Sequence, residues 1–299
     1  MIYVKEHTHG AGKWIYKGYK LAWESQGRKT AYYSNLNEID AGDYDVMAID
    51  ADIDLQNIQK IKKAKRVFLY VQPNKFPSPW GTHPNFVSLA SDEVIDELNQ
   101  LDNVYYWSFG DPSEYHFKWG QVNTVPLAYD SISYGETKNS PIAYDVCYIG
   151  GWANNGFNEK RKILINHFSH FRDSDLRCGF FINRNLSHEQ ENYIIANSKL
   201  TINIHDAYQR TLGFDTNERT FKSLGLNGLL VSDKVDQLQR LFPDIKCSND
   251  PAEMLQLVEG YASMSDKEIN SIKENNKEMI LSNHTYIKRV EQLDTFKSP

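Results

Sequence analysis

Ile2-Tyr3-Val4-Lys5-Glu6-His7-Thr8-His9-Gly10-Ala11-Gly12-Lys13-Trp14-Ile15-Tyr16 opens the stretch that decides the fold. Ile2–Lys5 has the short apolar run of a buried strand, and the glycines after it mark a turn. Lys13–Gln26 then places Ile15, Tyr19, Ala22 and Trp23 at helical spacing, and Lys29–Tyr33 returns to strand character. That is one β-α-β unit. The pattern predicts further strands at Val46–Asp50, Arg66–Val71, Phe86–Ala90, Val104–Trp107 and Thr124–Leu127, with helices at Leu55–Ala64 and Asp92–Leu101. Strands that alternate with amphipathic helices imply a parallel sheet covered on both faces.

Residues 129–143 carry Ser, Gly, Asn, Thr and Pro without apolar periodicity and read as a connection. The alternation restarts at Tyr144–Ile149, followed by Gly150-Gly151 and a helix at Glu159–Phe171. Strands are expected at Leu176–Phe181, Leu200–Ile204 and Gly228–Val231, and helices at Glu189–Ala196, Glu218–Leu224, Val235–Leu241, Pro251–Gly260, Asp266–Met279 and Thr285–Leu293. The fold class is therefore α/β, with two consecutive Rossmann-like domains at 1–128 and 144–283, and a C-terminal helical segment at 284–299.

At 299 residues the chain is long enough for two cores. Its 33 basic residues against 39 acidic ones give a net charge of −6, which removes any global attraction to nucleic acid or anionic membrane. Three scattered cysteines, Cys147, Cys178 and Cys247, suggest neither a disulfide framework nor a zinc site. The polar N-terminus and the lack of a long apolar run point to a cytoplasmic protein without stable membrane insertion.

In doubly wound sheets, ligands gather beyond the carboxyl ends of the strands. His7 and His9 lie in such a place after the first strand, where an imidazole takes a proton near neutral pH. Taken alone, the loop reads equally well as two solvated histidines. Gly150-Gly151 has the composition of a phosphate-approaching turn, or of a plain tight turn. Asp50-Ala51-Asp52 has the spacing of a metal-binding or general-base carboxylate pair, or of ordinary loop acids. The run Lys60–Arg66 suits the negative end of a helix dipole, and His167 and His170 lack a third ligand for a metal.

Asn217-Glu218-Arg219-Thr220-Phe221-Lys222-Ser223-Leu224-Gly225 runs into Leu226-Asn227-Gly228-Leu229-Leu230-Val231-Ser232-Asp233. With Tyr144–Gly151 before it and His284–Arg289 after it, this unit resembles the CgeB-like branch of GT-B glycosyltransferases, a group 1 type. The resemblance covers about Tyr144 to Leu293. It implies two Rossmann-like domains whose parallel sheets face a central cleft, with the last helix returning toward the first domain. It further implies a nucleotide-diphosphate sugar, expected to be a UDP-sugar, held by Gly150, Gly151, Asn217, Glu218, Arg219 and Thr220. The acceptor hydroxyl, on a glycan, a protein or a modified DNA base, belongs to the first domain. No cofactor or metal is implied, because a guanidinium and a helix N-terminus compensate the diphosphate.

His9 is the first candidate for the general base, His7 the second, and Asp52 the reserve. The chain departs from the family at Lys222, where relatives carry a glutamate that accepts from ribose hydroxyls; lysine cannot accept, and Glu218 is the substitute. Two other readings stand beside a hexosyl- or pentosyltransferase: a metal-dependent GT-A enzyme using Asp50 and Asp52, and a non-catalytic module that binds nucleotide sugars.

Overall fold

The computed structural model describes residues 1–8, 10–40, 42–73, 78, 90–112, 116, 118–135, 141–152, 159–226 and 228–296. The chain divides into two compact units: Met1–Pro126 together with the segment from Tyr286, and Leu127–Thr285.

The first unit is built on a six-stranded sheet of order β2-β1-β3-β4-β5-β6, from β1 (Ile2–Lys5), β2 (Thr30–Tyr33), β3 (Asp45–Ile49), β4 (Arg66–Tyr70), β5 (Val104–Ser108) and β6 (Asn123–Thr124). Every pairing is parallel. Consecutive residues Val46-Met47-Ala48 and Val67-Phe68-Leu69 are all buried, as strands covered on both faces require. One face packs on α2 (Ile58–Lys63) and α3 (Asp92–Leu98) through Ile58, Ile61, Val94 and Leu98. The other carries α1 (Gly10–Ser25), whose Tyr19 and Trp23 meet Trp107 and Phe68.

The C-terminal helix α11 (Tyr286–Asp294) lies against α1. A Cβ on Gly18 would sit 2.3 Å from the Tyr286 ring, so the glycine is what lets the two helices approach. Arg289 Nε donates to Pro126 O at 2.7 Å, Gln292 Nε2 to Thr124 O at 2.9 Å, and Asp294 accepts from Arg66 at 2.9 Å.

The second unit holds a five-stranded parallel sheet of order β11-β10-β9-β7-β8. Its strands are β7 (Tyr144–Gly150), β8 (Cys178–Ile182), β9 (Ser198–Asn203), β10 (Leu230–Ser232) and β11 (Lys246–Cys247). Around it lie α4 (Glu159–Ser169), α5 (His188–Ala196), α6 (Ala207–Leu212), α7 (Glu218–Gly225), α8 (Asp236–Leu241), α9 (Pro251–Ala262) and α10 (Asp266–Asn283). The starts are locally encoded. Ser187 with Gln190 and Ser265 with Glu268 form capping boxes for α5 and α10, and Pro251 follows the Asp250 cap of α9.

Several expectations are corrected. The helix expected at Leu55–Ala64 begins only at Ile58, because Asp54 Oδ1 accepts from the backbones of Gln56 and Asn57 and holds the chain in a turn. Helix α6 is an addition: six residues are too few to show a period, yet Gly213 at φ 75° ends it in the left-handed region. In the connection expected at 129–143, Tyr129 and Tyr134 are buried, and Tyr129 pairs with Thr285. Of the strand expected at Phe86–Ala90, residues 86–89 lie outside the described residues. His167 and His170 each bond a carbonyl of their own helix, at Ile163 and Asn166.

Candidate active-site residues

In the second unit, β7 and β9 end beside the start of α7, and the polar side chains there form one connected cluster. Asn217 caps α7, with Oδ1 accepting from Thr220 N at 3.3 Å and Nδ2 donating to Asn203 Oδ1 at 3.1 Å. Asn203 Nδ2 donates to Thr220 Oγ1 at 3.0 Å, and 2.8 Å contacts continue from Thr220 to Thr216 and from Thr216 to His205 Nε2. His205 Nδ1 then meets Asp233 Oδ1 at 2.6 Å. Each hydroxyl in this chain donates once and accepts once if His205 carries its proton on Nδ1. Burial pushes the Asp233 carboxyl up, but His205, Lys160 and Arg210 together outweigh it and hold the group below its ordinary value.

Arg219 is the cation this framework positions. Its Nε donates to Ile149 O at 2.6 Å, and its Nη1 to Asn203 Oδ1 at 2.9 Å and Ile204 O at 3.3 Å. The guanidinium lies 4.9 Å from the Tyr148 ring centre. All these partners are neutral. Among the described residues no carboxylate forms an ion pair with Arg219, so its charge is left for an anion to compensate. Gly150 admits it: a Cβ there would fall 2.3 Å from Nη2. Gly151 has the same relation to Asn183, whose Oδ1 would lie 2.5 Å from a Cβ.

Lys160 was not singled out from the sequence, because Glu159-Lys160-Arg161-Lys162 reads as a solvated helix start. It is only 4% exposed, with Nζ bonded to Ile204 O and 3.5 Å from Asp206. Burial lowers its pKa to about 8, against the pull of Asp206 and with the help of Arg219. Two cations therefore converge on Ile204 at the end of β9.

The remaining donor candidates separate. Thr220 is fully buried and its hydroxyl is engaged in the chain above, so it positions α7 instead of meeting a ligand. Glu218 is half-buried in the first turn of α7. Lys222 pairs with both oxygens of Glu191 at 3.1 Å, and Tyr134 donates to the same carboxylate at 2.8 Å. Beside them a cavity of about 330 Å³ is lined by Tyr134, His188, Glu189, Asn192 and Tyr193, with the His188 and Tyr134 rings stacked at 4.6 Å.

In the first unit, the carboxyl ends of β1, β3 and β4 gather His7, Asp52 and Asp50. The His7 ring stacks on Tyr16 at 4.4 Å, and Gly12 makes room for it, since a Cβ there would lie 2.9 Å from Nδ1. His7 Nε2 is buried and has no hydrogen-bond partner among the described residues. Burial pulls the imidazole below its ordinary pKa; Asp52 opposes this and Lys5 adds to it. Asp52 itself faces Lys5 Nζ at 2.9 Å. His9 lies outside the described residues.

Asp50 turns the other way. It is fully buried and accepts from Gln72 N at 3.1 Å, Gln72 Nε2 at 3.3 Å and Ala51 N at 2.8 Å. Burial raises its pKa to about 6, with those backbone donors opposing. The two carboxylates of Asp50-Ala51-Asp52 thus serve different partners, and two separate parallel sheets displace the GT-A reading.

Residues 154–295 match the family model described as Glycosyl transferase-like. Among solved structures, the chain resembles the DNA modifying enzyme β-glucosyltransferase, determined in the presence and absence of uridine diphosphoglucose. The TM-score is 0.60 at 13% identity, covering 99% of this chain and 97% of that one. It also resembles a trehalose-6-phosphate structure from E. coli bound with UDP-2-fluoro glucose, with a TM-score of 0.55 at 10% identity over 88% and 76% of the two chains. TarM gives 0.52 at 9% identity, over 84% of this chain and 54% of that one. No curated protein is significantly similar in sequence. The chain has the GT-B fold, and residues 154–295, somewhat under half of it, are similar to the glycosyl transferase-like family. Among the described residues no helix is long and apolar enough to cross a membrane.

Proposed function

We propose that this protein is a glycosyltransferase that moves a sugar from a UDP-sugar to an acceptor hydroxyl, with the second unit holding the donor and the first unit the acceptor. The observation that carries the reading is Arg219, a cation fixed by neutral partners at the start of α7 and at the carboxyl ends of β7 and β9. Cleavage of the donor's glycosidic bond leaves negative charge on the diphosphate. Arg219 compensates that charge, and the buried Lys160 ammonium adds a second positive centre behind it. This assigns charge compensation to side chains and the helix terminus, without a metal. The cavity beside Tyr134 and His188, whose rings offer a stacking surface, is the proposed seat of the nucleoside.

At the acceptor, a base removes the hydroxyl proton as the oxygen attacks the anomeric carbon, and the diphosphate leaves from the opposite side. His7 has the environment for it: a neutral imidazole held by Tyr16, with Asp52 nearby to favour the protonated form as it develops. His9 and Asp52 are the alternatives. The acceptor remains a glycan, a protein or a modified DNA base.

Binding of UDP tests the donor assignment. At 100 times its dissociation constant, UDP should stabilise the folded state by about 2.7 kcal/mol, read as a rise in melting temperature. The absence of any shift with uridine, guanosine, adenosine, cytidine or thymidine diphosphates would sink the reading. The pairing of Lys222 with Glu191 favours one second reading, a module that binds the nucleotide sugar without turning it over. A UDP shift with neither donor hydrolysis nor transfer would support that module.

A further inference from the structure

Helix α1 begins three residues after His7 and carries an unusual outer face. The first 33 residues contain Lys5, Lys13, Lys17, Lys20, Arg28 and Lys29 but only Glu6 and Glu24 as acids, in a chain whose net charge is −6. The positive charge is therefore local. Lys13, Lys17 and Lys20 recur at helical spacing along α1, while Ile15, Tyr16, Tyr19, Ala22 and Trp23 turn inward. Among the described residues, neither Lys13 nor Lys17 forms an ion pair. Two large aromatic side chains accompany these cations in the open: Trp14 is 41% exposed and Tyr32, on β2, is 40% exposed. Lys13 Nζ stands 4.9 Å from the Trp14 ring centre and Lys20 Nζ 5.2 Å from that of Tyr32.

We propose that this face docks a single-stranded nucleic acid, and that the polymer carrying the acceptor is therefore a nucleic acid. This rests on the reading that the first unit takes the acceptor. Ammonium groups neutralise the backbone phosphates, and exposed indole and phenol rings give unpaired bases a stacking surface. A neutral glycan needs no row of lysines. A polyol phosphate would use the lysines but has no base for Trp14 to stack on. The acids confine the docking end: Glu24 is held by Lys20 and Thr30, and Glu6 by Ser34, all near Tyr32. The polyanion is thus favoured at Lys13, Trp14 and Lys17, the end adjacent to the His7 loop.

The test is fluorescence anisotropy of a labelled single-stranded DNA oligonucleotide across salt concentrations. Two lysines on phosphates, Lys13 and Lys17, predict log K falling with log salt at a slope of about −1.4. The Lys13→Ala, Lys17→Ala double variant should flatten that slope to near zero. Trp14→Ala should weaken binding about 10-fold with the slope kept, because stacking and not charge is lost. Unchanged melting temperatures show that these surface variants still fold. Three results overturn the proposal: no binding at low salt, binding untouched by Trp14→Ala and equalled by a base-free polyphosphate, or salt-independent binding to a neutral glycan. A UDP shift on the unaltered protein alongside any of these would leave the donor assignment intact.

Discussion

Replacing His7 with alanine lowers the rate of sugar transfer by about 10²–10⁴-fold while UDP affinity stays the same, the signature of a lost general base. The pH profile adds a sign. Because burial holds the imidazole below its ordinary value, His7 remains neutral and able to accept a proton somewhat below pH 6.5, so the acidic limb of kcat/KM falls below that pH. Asp52 works against this lowering, and Asp52→Asn therefore moves the limb further toward acid with only a modest loss of rate. If Asp52 were the base, its Asn variant would show the large loss at every pH. If His9→Ala shows it and His7→Ala does not, the base is the other histidine of the loop. A product that retains the donor's anomeric configuration removes the need for any of the three.

Arg219→Ala weakens UDP binding by about 1.5–3 kcal/mol, the range for hydrogen bonds to a charged group, or roughly 10- to 150-fold in the dissociation constant measured by calorimetry. The same loss is expected with the arginine still present. A Cβ at position 150 would lie 2.3 Å from Nη2 and 2.7 Å from Cζ of Arg219, so Gly150→Ala must push the guanidinium away from Ile149 and Asn203. Since both changes act on one group, the double variant should bind UDP no more weakly than Arg219→Ala alone. An unchanged dissociation constant for Arg219→Ala refutes the assignment.

Alternation of short apolar runs with amphipathic helices was enough to read two parallel sheets, because covered strands show continuous runs such as Val46-Met47-Ala48. Arg219 was legible from its motif at a helix start. Its surroundings were not. The contacts that fix it come from Ile149, Asn203 and Ile204, far away in sequence, and no local pattern announces that a glycine at 150 exists to admit an arginine at 219. Lys160 was hidden for a different reason. Its neighbours are charged, and only the tertiary position of α4 turns that one lysine inward. The His205–Asp233 pair joins residues from the ends of two strands and leaves no spacing to recognise.

The attachment of α11 to α1 means that the first unit is completed by residues made after the whole of the second. Synthesis delivers Met1–Pro126 first, then all of Leu127–Thr285, and only then the helix that carries Tyr286, Val290 and Leu293. Those three side chains are at most 3% exposed, and burying each contributes about 1.5–3 kcal/mol, so together they rival the whole stability of an ordinary domain. The nascent chain therefore matures out of order. The unit 127–285 has every strand it needs as Thr285 emerges, while the earlier one waits for the helix that follows. A chain ending at Thr285 should show a protease-resistant core of 127–285 and a degraded N-terminal part. Equal resistance of both parts would mean that the first unit holds without its final helix.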